Sequence, residues 1–258
     1  MTLTPNEPRR IKGKVTTASV VRRADLTPEL FKLWLRCAEP FTFEPGQYCT
    51  LGVDGIERPY SIVSSPHEAL LELFVELIPP PVGHLTPLLH ALKVGDTVTV
   101  RPRAKGVFLM RPEFRNHVMV ATVTGVAPFV SMLRRWLTAP VDGHRFYVLE
   151  GASYVDEFGY DAELRAIAAG NPNVQFVATC SRPDEPRNAE WRGEIGRVNT
   201  LVERYVQQWR LDAAQTCVYA CGHPQMIEDL RVRLAGTGMR LEEERFWQPP
   251  REKHRPSS

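Results

Sequence analysis

The stretch HVMVATVTGVAPFVSMLRRWL, residues 117–137, decides the fold. Its first eight residues, HVMVATVT, read as a continuous apolar run, the pattern of a strand covered on both faces. After a turn at Thr124 and Gly125, the segment PFVSMLRRWL places Phe129, Met132, Leu133 and Trp136 at helical spacing. Pro128 suits the first turn of that helix, where a missing N–H costs nothing. A buried strand, a glycine turn and an amphipathic helix together open a parallel α/β unit.

The alternation continues toward the C-terminus. RFYVLEGA (145–152), VQFVATC (174–180) and CVYAC (217–221) read as strands. YDAELRAIAA (160–169), TLVERYVQQW (200–209) and PQMIEDLRVRL (224–234) read as helices. Strands alternating with helices predict a parallel sheet with helices on both faces.

Toward the N-terminus the character changes near residue 113. VTTASVV, FKLWLR, QYCTLGV, RPYSIVSS, LLELFVEL and TVTVRPR are short β-type runs, divided by the turn signals TPEL, EPGQ, VDG and VGD. Six such runs predict a small closed or half-closed antiparallel barrel. A short helix is expected at TPLLHAL, residues 86–92, after Gly83. The linker falls in LMRPEFRN, 109–116, giving units of 1–113 and 114–258. The tail QPPREKHRPSS, 248–258, is Pro-rich and charged and carries no core-forming pattern.

With 258 residues, 43% hydrophobic and 24% charged, the chain is expected to be a soluble globular protein with a sizeable core. A net charge of +2 demands no nucleic-acid partner, and no apolar run reaches the length of a membrane span. The polar start MTLTPNEPRRIKGK lacks an apolar signal region, so a cytoplasmic location is expected. The five cysteines form no C-x-x-C pair and no iron–sulfur spacing, so no metal site is expected. Four read as buried thiols. Cys221, beside Gly222 at a strand end, leaves room for a flat ring.

Parallel α/β sheets bind ligands beyond the carboxyl ends of their strands. Those ends hold Thr124 and Gly125, then Ser181 and Arg182 with Arg187, Arg192 and Arg197 nearby, then Cys221 and Gly222. Glycine permits close backbone approach, and a hydroxyl beside a guanidinium fork suits a phosphate. In the barrel half, RPYSIVSS joins Arg58, Tyr60 and Ser61 in one strand, a combination suited to a flat phosphorylated ligand.

Five motifs in order, RPYS (58–61), GHLT (83–86), TGVAPF (124–129), SR (181–182) and CGHPQM (221–226), give the chain its resemblance. Across residues 12–247 it resembles the ferredoxin–NADP reductase family, within it the compact bacterial flavodoxin/ferredoxin reductases. The resemblance implies a six-stranded Greek-key FAD barrel followed by a parallel NADP-binding domain. It implies that Arg58, Pro59, Tyr60 and Ser61 hold FAD, Arg58 at the pyrophosphate and Ser61 near flavin N5. It likewise assigns Phe74, Gly83, His84, Leu85, Thr86, Thr124, Phe246 and Trp247 to FAD. Thr124, Gly125, Val126, Ser181, Arg182, Arg192, Cys221 and Gly222 would meet NADP(H), with Ser61 and Cys221 at the hydride-transfer point. The family pattern is broken at Val123, where relatives often carry glycine, and by the eleven residues beyond Trp247, which could fold back over the cofactors.

The implied activity is hydride transfer between NADPH and FAD, with single electrons exchanged with a monomeric enzyme's ferredoxin or flavodoxin partner. Arg9, Arg10, Lys12, Lys14, Arg22, Arg23, Arg101, Arg103 and Lys105 offer a basic face for such an acidic carrier. Two other readings stand beside it: a reductase component of an oxygenase or a free flavin reductase, and a flavin-binding sensor subunit without turnover.

Overall fold

The computed structural model describes residues 13–245. Phe246, Trp247 and the tail lie outside the described residues, as do Arg9, Arg10 and Lys12. Two six-stranded sheets make up the fold.

The first sheet holds β1 (Thr16–Asp25), β2 (Leu30–Cys37), β3 (Tyr48–Val53), β4 (Ile56–Ser61), β5 (Leu71–Glu76) and β6 (Thr97–Val100), in the order β4-β3-β6-β1-β2-β5. All its pairs are antiparallel. Asp54 and Gly55 turn the β3–β4 hairpin with φ of 49° and 80°, the backbone that an Asp-Gly pair supplies cheaply. RPYSIVSS is a regular strand only to Ser61; beyond it, Val63 N–H reaches Glu72 O on β5 at 2.9 Å and draws the two sheet edges together. The near-barrel is thereby half closed, as the sequence predicts.

Alternating side chains fill its interior: Phe31, Leu33 and Leu35 from β2 meet Leu51, Leu73 and Val75. Truncating one of these leucines to alanine would cost about 2–5 kcal/mol. Helix α1 (Thr86–Ala91) adds Leu89 to that core, beside Leu85. Its C-terminus is held by Arg23, whose guanidinium donates to the carbonyls of His90 at 2.7 Å and Leu92 at 3.1 Å.

The second sheet is parallel, with strands β7 (Asn116–Thr122), β8 (Arg145–Ala152), β9 (Val174–Cys180), β10 (Glu194–Ile195), β11 (Thr216–Gly222) and β12 (Arg240–Arg245). The order is β10-β9-β8-β7-β11-β12. From β7 the chain winds first toward β9 and then back to β11, which puts the topological switch between β7 and β11. Helices α2 (Ala127–Thr138) and α3 (Asp161–Gly170) cover one face, and α4 (Val198–Gln208) and α5 (Pro224–Leu234) the other. Alternate residues serve each side: Met119 and Ala121 join the first cluster, Val118 and Val120 the second.

Two strands were not expected from the sequence, β10 and the highly charged β12. The run expected as strand HVMVATVT also ends early, because residues Val123–Val126 form a single 3-10 turn leading into α2.

An ion-pair network crosses the seam between the sheets. Arg134 of α2 meets Glu72 of β5 at 2.6 Å and Glu163 of α3 at 2.7 Å, while Tyr160 donates to Glu72 at 2.8 Å. Glu72 is almost wholly buried and would be an unpaired charge without these partners.

Candidate functional site

Ser61 ends β4, and Cys221 and Gly222 end β11. Glu244 on β12 joins them. It pairs in register with Cys221, and its carboxylate accepts a hydrogen bond from Ser61 Oγ at 3.1 Å. Burial pushes the Glu244 acid up to about 7, while the Ser61 hydroxyl works in the opposite sense. Burial and the nearby Glu244 charge together push the Cys221 thiol well above its ordinary value. Tyr48, opposite Ser61 in the β3–β4 pair, lines a cleft of about 390 Å³ with Phe108 and Glu242–Glu244. A barrel hydroxyl, a sheet thiol and an acid with a near-neutral pKa therefore meet at one place.

The strand ends at the switch are pressed together by backbone. A Cβ on Gly125 would stand 2.2 Å from the Cys221 carbonyl oxygen, and one on Gly222 2.2 Å from Thr122 Oγ1. Gly222 also has φ of 127°. Both positions therefore require glycine. Thr122 Oγ1 accepts from His223 N–H at 2.8 Å and ties β7 to the start of α5. Thr124 and Val126 are buried beside them. Val123 has φ of +44°, the left-handed region, where a β-branched side chain costs about 1–2 kcal/mol.

On the barrel, Arg58 donates to the neighbouring Glu57 carbonyl at 2.8 Å and makes no ion pair among the described residues. Pro59 is exposed, and burial raises the Tyr60 phenol. Gly83 is required, since a Cβ there would lie 1.7 Å from Ile78 O. Thr86 Oγ1 is occupied locally, bonding both the N–H and the carbonyl of Ile78 at 3.0 Å. His84 is half-buried, and the side chain of Leu85 is core. Phe74 is also buried, edge-on to Tyr160 at 5.6 Å in the seam.

At the end of β9, Ser181 N–H and Oγ both reach Ala152 O, at 2.9 and 3.3 Å. Arg182 donates to Tyr154 OH at 2.8 Å. Arg187 lies over the Tyr154 ring at 4.3 Å and pairs with Asp156 at 2.7 Å. Arg192 turns back on the carbonyls of Ala189 and Trp191. The sequence reading missed Tyr154 and Asp156, which no motif marks. It missed Glu244 for a different reason, because RLEEER does not read as a strand.

The basic residues of the barrel are partly committed. Arg23 holds α1, Arg22 lies over Trp34 at 4.1 Å, and Arg101 pairs with Glu57 at 2.7 Å. Arg103 and Lys105 remain exposed.

The model of the oxidoreductase NAD-binding domain matches residues 119–232. The flavodoxin/ferredoxin–NADP reductase of Escherichia coli is 31% identical over 227 residues, 83% of this chain and 87% of that protein. The ferredoxin–NAD(P)(+) reductase component of the naphthalene 1,2-dioxygenase/salicylate 5-hydroxylase systems of Ralstonia is 28% identical over 90% of this chain, which spans 66% of that protein. The same fold recurs in a ferredoxin NADP+ reductase from Neisseria gonorrhoeae, solved with FAD and NADP, with a TM-score of 0.78 at 24% identity over 92% of this chain and 100% of that one. The switch crevice, the ordered motifs and these likenesses converge: the chain belongs to the ferredoxin–NADP reductase family of flavin-dependent oxidoreductases.

Proposed function

We propose that this protein is an FAD-dependent reductase that takes a hydride from NADPH and passes electrons singly to a ferredoxin or flavodoxin. Residues 1–113 form the flavin unit in this reading and residues 114–258 the NADP unit. The observation that carries it is the Ser61–Glu244 bond, which sets the RPYS strand against the end of β11 at the switch. Arg58, which makes no ion pair among the described residues, would offset the charge of the flavin pyrophosphate. Gly83, which packs against the Ile78 carbonyl where no Cβ fits, would give the flavin phosphates backbone approach at the start of α1. Flavin, when bound, supplies the conversion between two-electron and one-electron chemistry. Ser61 and Glu244 hold a proton at the edge of the cleft, and an acid near 7 is suited to exchanging one at neutral pH. Thr124, Gly125 and Val126 orient the dinucleotide, while Ser181 and Arg182 receive its 2′-phosphate.

The test is anaerobic stopped-flow mixing of the yellow protein with NADPH and, separately, NADH. Fast bleaching of the flavin band with NADPH and slow bleaching with NADH supports the reading. No bleaching with either, despite bound flavin, refutes it.

The likeness to the Ralstonia reductase component favours one second reading, delivery of electrons to an oxygenase system. Turnover coupled to a purified dioxygenase separates the two: product formed through a ferredoxin carrier, with flavodoxin left unreduced after normal bleaching by NADPH, favours the oxygenase role.

A further inference from the structure

The loop after β9 is open to solvent except at one point. From Ser181 to Glu190 only Asn188 is buried, at 2% exposure, and its side chain is polar. A buried carboxamide is costly unless its donors and acceptor are matched. Here they are matched. Asn188 Nδ2 donates to the Ser153 carbonyl at 2.9 Å and to the Arg182 carbonyl at 2.7 Å. Its Oδ1 accepts from Val155 N–H at 2.8 Å. A flipped amide would set its oxygen against two carbonyls, so the network admits one orientation. The main chain is fixed as well, with Asn188 N–H on Glu185 O and Trp191 N–H on Asn188 O, both at 2.8 Å.

The three side-chain bonds join the loop after β8 to the loop after β9. On the first loop they grip Ser153 and Val155, the residues on either side of Tyr154. On the second they grip Arg182. The side chains carried at these points meet each other, since the Arg182 guanidinium donates to Tyr154 OH at 2.8 Å. One residue before Asn188, Arg187 lies over the Tyr154 ring at 4.3 Å, so the single 3-10 turn Pro186–Asn188 holds both the ring and its flanks. Asn188 thus bonds the backbone from which Tyr154 and Arg182 project. A long, exposed arginine has much rotamer freedom to lose on binding, and a charge already in place loses less.

We propose that Asn188 is a positioning residue for nucleotide selectivity: it locks the Tyr154 loop to the Arg182 loop and so presents the Arg182 guanidinium at a fixed point. It acts through Arg182 and not by touching the nucleotide. This rests on the function proposed above, which gives Arg182 the 2′-phosphate.

The experiment is a double-mutant cycle on the full-length, flavin-loaded protein: wild type, Asn188→Ala, Arg182→Ala and the two combined. Calorimetry gives Kd for 2′-phospho-AMP, and steady-state kinetics give KM for NADPH and NADH. Asn188→Ala is expected to weaken 2′-phospho-AMP and raise the NADPH KM by about fivefold or more, the scale of coupling within one hydrogen-bond network. The NADH KM is expected to change little. Added to Arg182→Ala, the same substitution should raise the NADPH KM no further, because the side chain it positions is gone. Asn188→Asp keeps the shape and the Val155 bond but sets a carboxylate against two carbonyls. It should reproduce the loss, and it carries the same cycle if the alanine variant does not fold. Unchanged 2′-phospho-AMP binding in Asn188→Ala overturns the proposal. So do equal rises in both KM values, which a merely structural asparagine would give, and losses that multiply in the combined variant. If Arg182→Ala alone leaves 2′-phospho-AMP binding as in wild type, the phosphate assignment itself has failed and this proposal falls with it.

Discussion

The hydroxyl of Ser61 and the carboxylate of Glu244 lie 3.1 Å apart although they are 183 residues apart in the chain. One residue ends a barrel strand and the other stands on the edge strand of the parallel sheet. The bond therefore measures how the two units are set against each other, and it places an acid that titrates near 7 beside the cleft.

Replacing Glu244 by glutamine keeps the shape and removes the titration. Turnover with NADPH is expected to fall by about 100-fold or more, the range for losing a positioned proton-exchanging group. The wild-type rate should also show an inflection near pH 7 that the variant lacks. The stability sign follows from the raised value: the folded protein holds this proton longer than the unfolded chain does. Its contribution is full below the ordinary value of 4.5 and is lost as pH rises through about 7. A Glu244→Gln variant with the wild-type pH–rate curve would remove Glu244 from the chemistry.

Arg182 donates to Tyr154 OH at 2.8 Å and is otherwise exposed at the end of β9. If it receives the 2′-phosphate, Arg182→Ala loses a charge-assisted bond that NADH never makes. The KM for NADPH is expected to rise by about tenfold or more, and that for NADH to change little. Steady-state kinetics with both nucleotides decide the matter. Equal effects on the two would refute the role.

Glu150 is fully buried on β8, and neither carboxylate oxygen has a hydrogen-bond partner among the described residues. Burial, with Asp161 adding to it, pushes this acid well above the ordinary range, so the folded protein holds its proton to higher pH than the unfolded chain does. As pH rises past 4.5 the unfolded chain ionises first, and stability falls. Glu150→Gln abolishes that slope. Urea unfolding should find the variant gaining on wild type as pH rises past 4.5, by about 1.4 kcal/mol for each pH unit over which only the unfolded chain is ionised. Parallel pH profiles for the two proteins would contradict this.

The sequence made most of the architecture legible because hydrophobic period does the sorting. Alternation in FKLWLR and the unbroken run in HVMVAT follow from covering one face or two. β12 escaped because its charges are satisfied by partners distant in sequence. Glu242 pairs with Arg111 at 3.0 Å and Glu243 with Arg231 at 2.6 Å, so a strand reads as a loop. Glu244 was lost with it. The Thr86 hydroxyl shows the converse: a motif marks the residue, yet its bonds go to Ile78. Motifs name residues, whereas partners depend on where the chain returns.

His117 illustrates the same point at the opposite end of the sheet. Tyr219 OH accepts from Arg111 N–H at 2.8 Å, which leaves its own proton for His117 Nδ1 at 3.2 Å. His117 Nε2–H can then donate to His144 Nδ1 at 2.9 Å. The ring is also stacked on Phe146 at 4.9 Å, in an enclosure with no room for a charge. Burial, with His144 adding to it, lowers His117 to about 3. Here the folded protein binds the proton less readily than the unfolded chain. Stability is therefore full above 6.5 and declines as pH falls toward about 3. His117→Phe keeps the aromatic stack and cannot be protonated. Its melting temperature should fall less steeply with acid over that interval than the wild-type value, even if the lost hydrogen bonds lower it at neutral pH. Tyr219→Phe, which removes only the hydroxyl, should keep the wild-type acid slope because the buried imidazole remains. If His117→Phe also keeps that slope, His117 is not the group that acid reaches first.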